Sequence, residues 1–154
     1  MKIRKASSKD IAEVHKLVLE MYAEERDCLD PELKEPSLVR DYYKKFLSER
    51  LSDDDAVVIL AEEGKPIGFA VAYLTEDDLH TYSSKAYIRH IYVQKKFRKK
   101  GAGSLLLSEI LSWAKQKGAE VVEADAYSKN KEGLSFWVKE GFESKFTLIA
   151  KKIK

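Results

Sequence analysis

Hydrophobic positions along the chain recur with two periods, and each period predicts one type of element. Apolar residues three to four positions apart predict amphipathic helices, whereas runs of β-branched and apolar residues bounded by turn residues predict buried strands. The predicted elements, with approximate bounds in chain order, are strand 2–6, helix 10–25, helix 37–51, strand 56–61, strand 67–75, strand 85–93, helix 104–117, strand 119–126, helix 130–140 and strand 142–153.

The order of these elements predicts an α/β fold of the α+β type. Strands that follow one another directly favour antiparallel pairing, and the strands separated by a helix favour a parallel crossover. We therefore expect a mixed, mostly antiparallel central sheet with helices on both faces. The chain has 154 residues and no internal repeat or linker, so we expect residues 1–154 to form a single domain.

Composition narrows the possible classes of protein. The net charge is only +2, from 28 basic and 26 acidic residues, so general binding to nucleic acid is not expected. The longest apolar runs, 56–61 and 69–74, are far shorter than a membrane span, and the polar start MKIRKASSKD predicts no secretory signal. With Cys28 as the single cysteine, we expect a reducing, cytoplasmic location.

The stretch FRKKGAGSLL carries the clearest chemical signal. Three cations, Arg98, Lys99 and Lys100, precede Gly101, Ala102 and Gly103, and a leucine-rich helix begins at Ser104. Adjacent like charges repel one another, so the arrangement favours an anion at this point. Unpaired N–H groups at a helix N-terminus bind phosphate, and a pyrophosphate matches the size of the turn. The spacing fits neither the Walker A pattern nor the dinucleotide-binding fingerprint.

Two blocks of sequence resemble the GCN5-related N-acetyltransferase (GNAT) family. The first is R-x-x-G-x-G, which begins at Arg98 after the strand Ile88–Val93 and resembles the family's acetyl-coenzyme A loop. The second is NKEGLSFWVKEGF, Asn130 to Phe142, and it occurs in the family's order and at its separation. The predicted N-terminal helices and GKPIGFAVAYL also fit, so the resemblance covers nearly the whole chain.

The resemblance implies the acyl-CoA N-acyltransferase fold and a direct acetyl transfer from acetyl-CoA to a primary amine of a small molecule or a protein. It implies that the strand at 88–93 splays from the strand at 119–126 and that its free backbone groups bind pantetheine. It also implies that the basic turn binds the pyrophosphate. The cofactor-binding residues that it indicates are Ile91, Tyr92, Val93, Arg98, Lys99, Lys100, Gly101, Ala102, Gly103, Ser104, Asn130 and Trp137.

The chain departs from the family pattern where the proton transfers are expected. Trp137 occupies the position at which many members carry a tyrosine acid, and the strand before the loop has no glutamate. On that strand His90, with an ordinary pKa near ~6.5, is the candidate for the base that deprotonates the amine. Tyr127 and Asp125 are alternatives to His90. His15 and His80 have no partner at ligand spacing, so no metal site is predicted.

Expectations about partners depend on weaker features. Acidic residues cluster at 24–35 and 76–78, and the resemblance implies that both regions border the cleft for the acceptor. Their negative charge would attract a cationic amine. The alternative is that both clusters lie in solvated loops with no role in binding. A predicted exposed edge strand at 142–153 favours a homodimer. A non-catalytic acyl-CoA-binding module remains the alternative to an enzyme, and nucleic-acid binding through the Lys95–Lys100 patch is a third possibility.

Overall fold

The computed structural model describes all 154 residues. The elements are β1 (Lys2–Lys5), α1 (Ile11–Cys28), α2 (Pro36–Leu51), β2 (Ala56–Glu63), β3 (Lys65–Glu76), β4 (Ser84–Val93), α3 (Ala102–Gln116), β5 (Val121–Ala124) and α4 (Lys131–Lys139). The strands form one five-stranded sheet in the order β1-β2-β3-β4-β5, in which the first three pairs are antiparallel and β5 is parallel to β4. The predicted mixed, mostly antiparallel sheet is confirmed.

Each face of the sheet has its own hydrophobic core. On one face, Val14 and Val18 of α1 and Leu47 of α2 pack against strand residues such as Phe69. On the other face, α3 packs its leucine-rich side against β2, β3 and β4, with Leu106 fully buried, and the aromatic residues of α4 lie at the border of this core. Helices therefore cover both faces, as predicted. None of them combines the length and the apolar character that a membrane crossing requires.

The predicted last strand is wrong for the isolated chain. Residues 142–154 form neither a helix nor a strand, and the last backbone hydrogen bond of the chain joins the Phe142 N–H to the Trp137 carbonyl at 2.9 Å. A strand needs a neighbouring strand to satisfy its backbone groups. The nearest one, β5, pairs only with β4. Apolar and polar residues do alternate along 142–153, but within one chain this segment has no neighbouring strand with which to pair.

A bulge in β4 changes which way its side chains point. Val71 pairs with His90 but the next residue, Ala72, pairs with Ile88, so Arg89 is an extra residue in the ladder. Because a bulge shifts the two-residue alternation by one, Ile88 faces the α3 side while His90 faces the α1–α2 side. Strict alternation along the sequence could not reveal this change of face.

Strands β3 and β4 approach each other closely at Gly68. A Cβ on Gly68 would lie 2.6 Å from the Tyr92 carbonyl oxygen, which is backbone and cannot rotate away. We expect Gly68→Ala to lower the free energy of unfolding by about 2–3 kcal/mol in a urea titration. Gly103→Ala is the matched control, because its Cβ would meet only the edge of the Phe136 ring at 3.2 Å. Equal stability of both variants and the parent would contradict this account.

Candidate active site

A wedge opens in the sheet between β4 and β5. The two strands pair from Lys85 and Val121 up to Ile88 and Ala124, and the pairing stops there. Strand β4 continues to pair with β3 as far as Val93. Along 89–93 the β4 edge that faces away from β3 therefore has no neighbouring strand. An unpaired strand edge of this kind can bind an extended, amide-bearing ligand as if it were an added strand.

The wedge leads to a turn whose backbone N–H groups are unpaired. None of the N–H groups from Lys99 to Ser104 has a hydrogen-bond partner in the chain, and the first one that is paired, at Leu105, donates to the Gly101 carbonyl at 3.0 Å. Lys99 and Gly101 both have positive φ, +60° and +90°. Left-handed residues in such a turn make successive N–H groups converge into an anion-binding concavity. The turn is thus a backbone cradle at the start of α3.

The two glycines of the turn have different reasons to be glycine. Gly101 has a left-handed φ, and a Cβ there would point into open space. At Gly103 the Cβ direction is occupied by the Phe136 ring of α4. The packing of α4 on α3 therefore accounts for a glycine at position 103.

Arg98 is already engaged within the protein. Its guanidinium forms a two-pronged ion pair with Glu24 of α1, with both N–O distances at 2.8 Å, and its Nε donates to the Val93 carbonyl at 2.7 Å. The guanidinium also lies over the Tyr92 ring. Hydrogen bonding to Glu24 raises the pKa of Arg98 further. Arg98 therefore fixes the turn to α1 rather than pointing at an anion.

Lys99 and Lys100 are the uncompensated charges of the turn. Both side chains are exposed, and neither takes part in an ion pair. Ser104 donates its hydroxyl hydrogen to Glu140, which ties the start of α3 to the end of α4. Of the charged residues predicted for the cradle, the two lysines thus have side chains available to an anion.

The second sequence block supplies structural contacts in addition to its predicted role. The Asn130 side chain caps α4 by accepting a hydrogen bond from the Gly133 N–H at 2.9 Å. Trp137 packs edge-on between Phe136 and Phe142, with ring centroids 5.2 and 4.8 Å away. Both residues lie on or next to α4, the helix that packs on the start of α3. Their contact with a cofactor stays a prediction.

His90 lies in a core environment. It is 7% exposed, and its ring packs among Tyr43, Phe46 and Phe69 at centroid distances of 5.9 to 6.2 Å. Burial, with a smaller contribution from the neighbouring Arg89 charge, lowers the pKa of His90 to about 3. Such a histidine is neutral at pH 7 and holds a proton poorly. This placement disfavours His90 as the base.

Glu25 is the titratable group that sequence reasoning did not single out. Its carboxylate is partly buried near the end of α1 and makes neither a hydrogen bond nor an ion pair. Burial raises its pKa to about 7, opposed by the Arg89 charge and aided by Glu24 and Asp30. Helical spacing could have revealed it, because Glu25 is four residues after the buried Met21 and three after Tyr22.

Polar groups from β4 and from the residues just after β5 lie near Glu25 of α1, at the open end of the wedge. Arg89 is the bulged residue of β4, and Tyr127 lies just beyond the end of β5, where it donates a long 3.4 Å hydrogen bond to Asp30. Burial and the nearby Glu25 and Asp30 charges raise the pKa of Tyr127, so its hydroxyl stays protonated at neutral pH. Asp125 accepts a hydrogen bond from Tyr87. The arrangement provides one carboxylate poised to take a proton and one hydroxyl able to give one.

Most residues of the predicted acidic clusters have partners. Glu24 pairs with Arg98, Glu35 with Arg26, and Glu32 with Lys152. Asp77 is bound by His80 and Lys85, and these contacts lower its pKa. Glu25 and Asp30 are therefore the carboxylates at the wedge that form no ion pair, although the Arg89 charge is close enough to Glu25 to oppose the rise of its pKa.

Comparisons with known proteins agree with this geometry. The family model described as the acetyltransferase (GNAT) family matches residues 18–142. An uncharacterized N-acetyltransferase of Methanocaldococcus jannaschii is 31% identical over 104 residues, which are 68% of this chain and 45% of that protein. The chain thus spans less than half the length of this relative.

Solved structures show the same fold at low sequence identity. The aminoglycoside N-acetyltransferase AAC(6')-Iy in complex with CoA has a TM-score of 0.80 at 21% identity, over 98% of this chain and 93% of its own. A predicted acetyltransferase with acetyl-CoA from Clostridium acetobutylicum has a TM-score of 0.81 at 19% identity, over 99% and 96%. From the family match and the shared architecture, the chain belongs to the GCN5-related N-acetyltransferase family.

Proposed function

We propose that this protein transfers an acetyl group from acetyl-CoA to a primary amine of a small molecule or a protein. The observation that carries the proposal is the continuous path from the open edge of β4 to the turn of unpaired N–H groups at 99–104. A strand edge suits the amides of pantetheine, and an N–H cradle with two lysines suits a pyrophosphate. We further propose that residues 1–154 act as a single domain.

The proposed cofactor contacts divide into three groups. Ile91, Tyr92 and Val93 would bind pantetheine, and Asn130 and Trp137 would contact the cofactor from the α4 side. Arg98 would act by holding the turn on α1 through Glu24. The residues proposed to hold the pyrophosphate, through their N–H groups or their charges, are Lys99, Lys100, Gly101, Ala102, Gly103 and Ser104.

Glu25 and Tyr127 are the proposed proton-transfer groups. Acetyl-CoA supplies the acetyl group as a thioester, whose C–S bond breaks as the C–N bond to the amine forms. Glu25 accepts the proton that the amine loses, because a carboxylate with a pKa near 7 is ionised about half the time at neutral pH. The Tyr127 hydroxyl donates a proton to the departing sulfur and is replenished from solvent, since it is more than one-third exposed.

The acceptor is proposed to be a cationic amine. Glu25 and Asp30 have no cationic partner and lie on the α1 side of the wedge, so they favour a positively charged ligand there. The low net charge gives no reason to include nucleic acid among the partners. We also propose a cytoplasmic location and a homodimeric state.

Product formation tests the proposed activity. Purified protein is incubated with acetyl-CoA and, separately, with a polyamine, an aminoglycoside and a lysine-containing peptide. We expect release of free thiol and an acetylated product by mass spectrometry with at least one amine. Tight acetyl-CoA binding with no thiol release from any amine would favour the non-catalytic acyl-CoA-binding module instead.

A further inference from the structure

Arg89 is a half-buried arginine whose guanidinium has no partner in the chain. It forms neither an ion pair nor a hydrogen bond. The other half-buried arginines are each paired with a carboxylate: Arg4 with Asp10 and Glu62, Arg26 with Glu35, Arg50 with Glu49 and Arg98 with Glu24. Taking a charge partly out of water is costly unless it is paired. Arg89 therefore keeps its N–H donors for a group that does not belong to the chain.

The position of Arg89 directs its charge to the open end of the wedge. As the bulged residue of β4, it stands outside the regular ladder with β3. Burial raises the pKa of four groups around it, and the Arg89 charge opposes the rise at each one. These groups are Glu25 of α1, Tyr43 of α2, Tyr87 of β4 and Tyr127 after β5. The guanidinium thus lies among side chains from both helices and from both strands of the wedge.

The aspartates nearest to Arg89 are bound by tyrosines instead. Asp125 accepts a hydrogen bond from the Tyr87 hydroxyl. Asp30 accepts one from the Tyr127 hydroxyl at 3.4 Å. Each of these two carboxylates has a hydroxyl donor, and neither forms an ion pair with Arg89. The chain therefore places a cation at the open end of the wedge and leaves it without an anion of its own.

Glu25 and Arg89 present opposite charges to the same space without pairing with each other. Both side chains are half-buried, and neither has a hydrogen bond or an ion pair. A ligand with an amine at one end and a carboxylate at the other is complementary to both groups. The planar fork of a guanidinium binds a carboxylate through two parallel hydrogen bonds. A diamine, by contrast, would bring a second positive charge close to Arg89.

We propose that the acceptor is an amino acid, whose carboxylate binds Arg89 while its amine lies against Glu25. The inference rests on the proposed acetyl transfer and narrows its acceptor from amines in general to amines that carry a carboxylate. The amine nitrogen attacks the thioester carbonyl, the C–N bond forms and the C–S bond breaks. Glu25 takes the amine proton, Tyr127 gives a proton to the sulfur, and the carboxylate is unchanged. Arg89 is thus a residue that determines specificity.

Paired acceptors with and without the carboxylate test this assignment. Glycine, glutamate, lysine and γ-aminobutyrate are each compared with the corresponding carboxamide, and lysine is also compared with cadaverine. We expect at least one amino acid to have a kcat/KM about 10-fold or more above that of its uncharged or decarboxylated counterpart, since hydrogen bonds between charged groups are the strong ones. In Arg89→Gln this preference should fall by about the same factor, and Arg89→Lys should keep part of it.

The ratio within a pair is the quantity to compare between variants. Removing the Arg89 charge also raises the pKa of Glu25, and this change cancels in the ratio because it affects both acceptors. Arg89→Glu should reverse the preference, so that cadaverine becomes a better acceptor than lysine. The matched control is Arg40→Gln, which removes the same charge from an exposed side chain of α2 and should leave the ratio unchanged. The Kd for acetyl-CoA should be unaffected in all these variants.

Two results separate a failure of this inference from a failure of the proposed activity. A wild type that acetylates the amides and cadaverine as well as the amino acids, or an Arg89→Gln variant that loses rate equally on both members of each pair, would overturn the role of Arg89 and leave the activity intact. Calorimetric titration of the same acceptors into protein saturated with CoA measures the preference without chemistry. Arg89-dependent binding of an amino acid without thiol release would contradict the proposed transfer instead. No preference for the carboxylate in either measurement would overturn the inference.

Discussion

Replacing Glu25 by glutamine is expected to lower the rate of acetyl transfer by about 100-fold or more at pH 7, while acetyl-CoA binding changes little. The amide cannot accept the amine proton, and a positioned general base contributes roughly 10²–10⁴-fold to a rate. The wild-type rate should rise with pH through an apparent pKa near 7, the value to which burial raises the pKa of Glu25. In the variant this ionisation should disappear from the pH profile of kcat/KM.

The same substitution is expected to stabilise the fold at alkaline pH. The pKa of Glu25 is about 7 in the folded state and 4.5 as its ordinary value, so the folded state binds more protons between these limits. Stability therefore falls as pH rises from about 4.5 to 7, by on the order of 3 kcal/mol in all. Glu25→Gln removes that fall, so it should unfold at a higher temperature than the wild type at pH 8 and show little difference at pH 5.

Asp27, a neighbouring carboxylate, provides the control for both the expected loss of acetylation rate and the expected gain in stability at alkaline pH. Asp27 is also on α1, but its side chain is 72% exposed and its nearest cation, Arg26, is 4.0 Å away. Asp27→Asn changes the net charge by the same amount and should leave both the pH profile and the stability near those of the wild type. An unchanged acetylation rate in Glu25→Gln would rule out the proposed base.

Reversing the two charges of the turn is expected to abolish most of the binding of acetyl-CoA. In the variant Lys99→Glu, Lys100→Glu, two attractions to a pyrophosphate become repulsions, each worth about 3–4 kcal/mol at 4–5 Å before salt screening. We expect the Kd to rise by about 100-fold or more. Both side chains are exposed and without ion pairs, so the apo fold should be retained.

Ligand-induced thermal stabilisation measures this loss. A ligand at 100 times its Kd stabilises the folded state by about 2.7 kcal/mol, which is a Tm rise of about 5–10 °C for a chain of this size. The wild type should show such a rise with acetyl-CoA, and the variant should show almost none. The matched control is Lys95→Glu, Lys96→Glu, with the same charge change on the short helical turn before the cradle. If both variants lost the Tm rise equally, the overall positive charge of the surface, rather than the turn at 99–104, would be what binds acetyl-CoA.

The sequence was informative wherever a signal was local. The periodic apolar positions of 104–117 predicted α3 to within two residues at its start, and the turn at 98–103 indicated the family. The family and the fold class are confirmed by the family match and the shared architecture. Propensity and spacing suffice for these features because the residues that create them are adjacent in the chain.

Features that depend on tertiary pairing could not be predicted in the same way. The bulge at Arg89 is a register shift between β3 and β4, and it turned His90 into the core. The partnership of Arg98 with Glu24 joins residues 74 positions apart, so the arginine looked available to phosphate. The last strand was overpredicted because alternation specifies a strand only where a neighbouring strand is present.

Calorimetric titration of the wild-type protein with acetyl-CoA tests the central claim most directly, namely that the wedge and the turn of β4 and α3 bind this molecule. We expect a micromolar Kd and one acetyl-CoA bound per chain, with free CoA competing for the same site. Because the pyrophosphate is the proposed anchor, acetyl-pantetheine, which lacks it, should bind far more weakly. No heat with acetyl-CoA, or equal affinity for acetyl-pantetheine, would contradict the account.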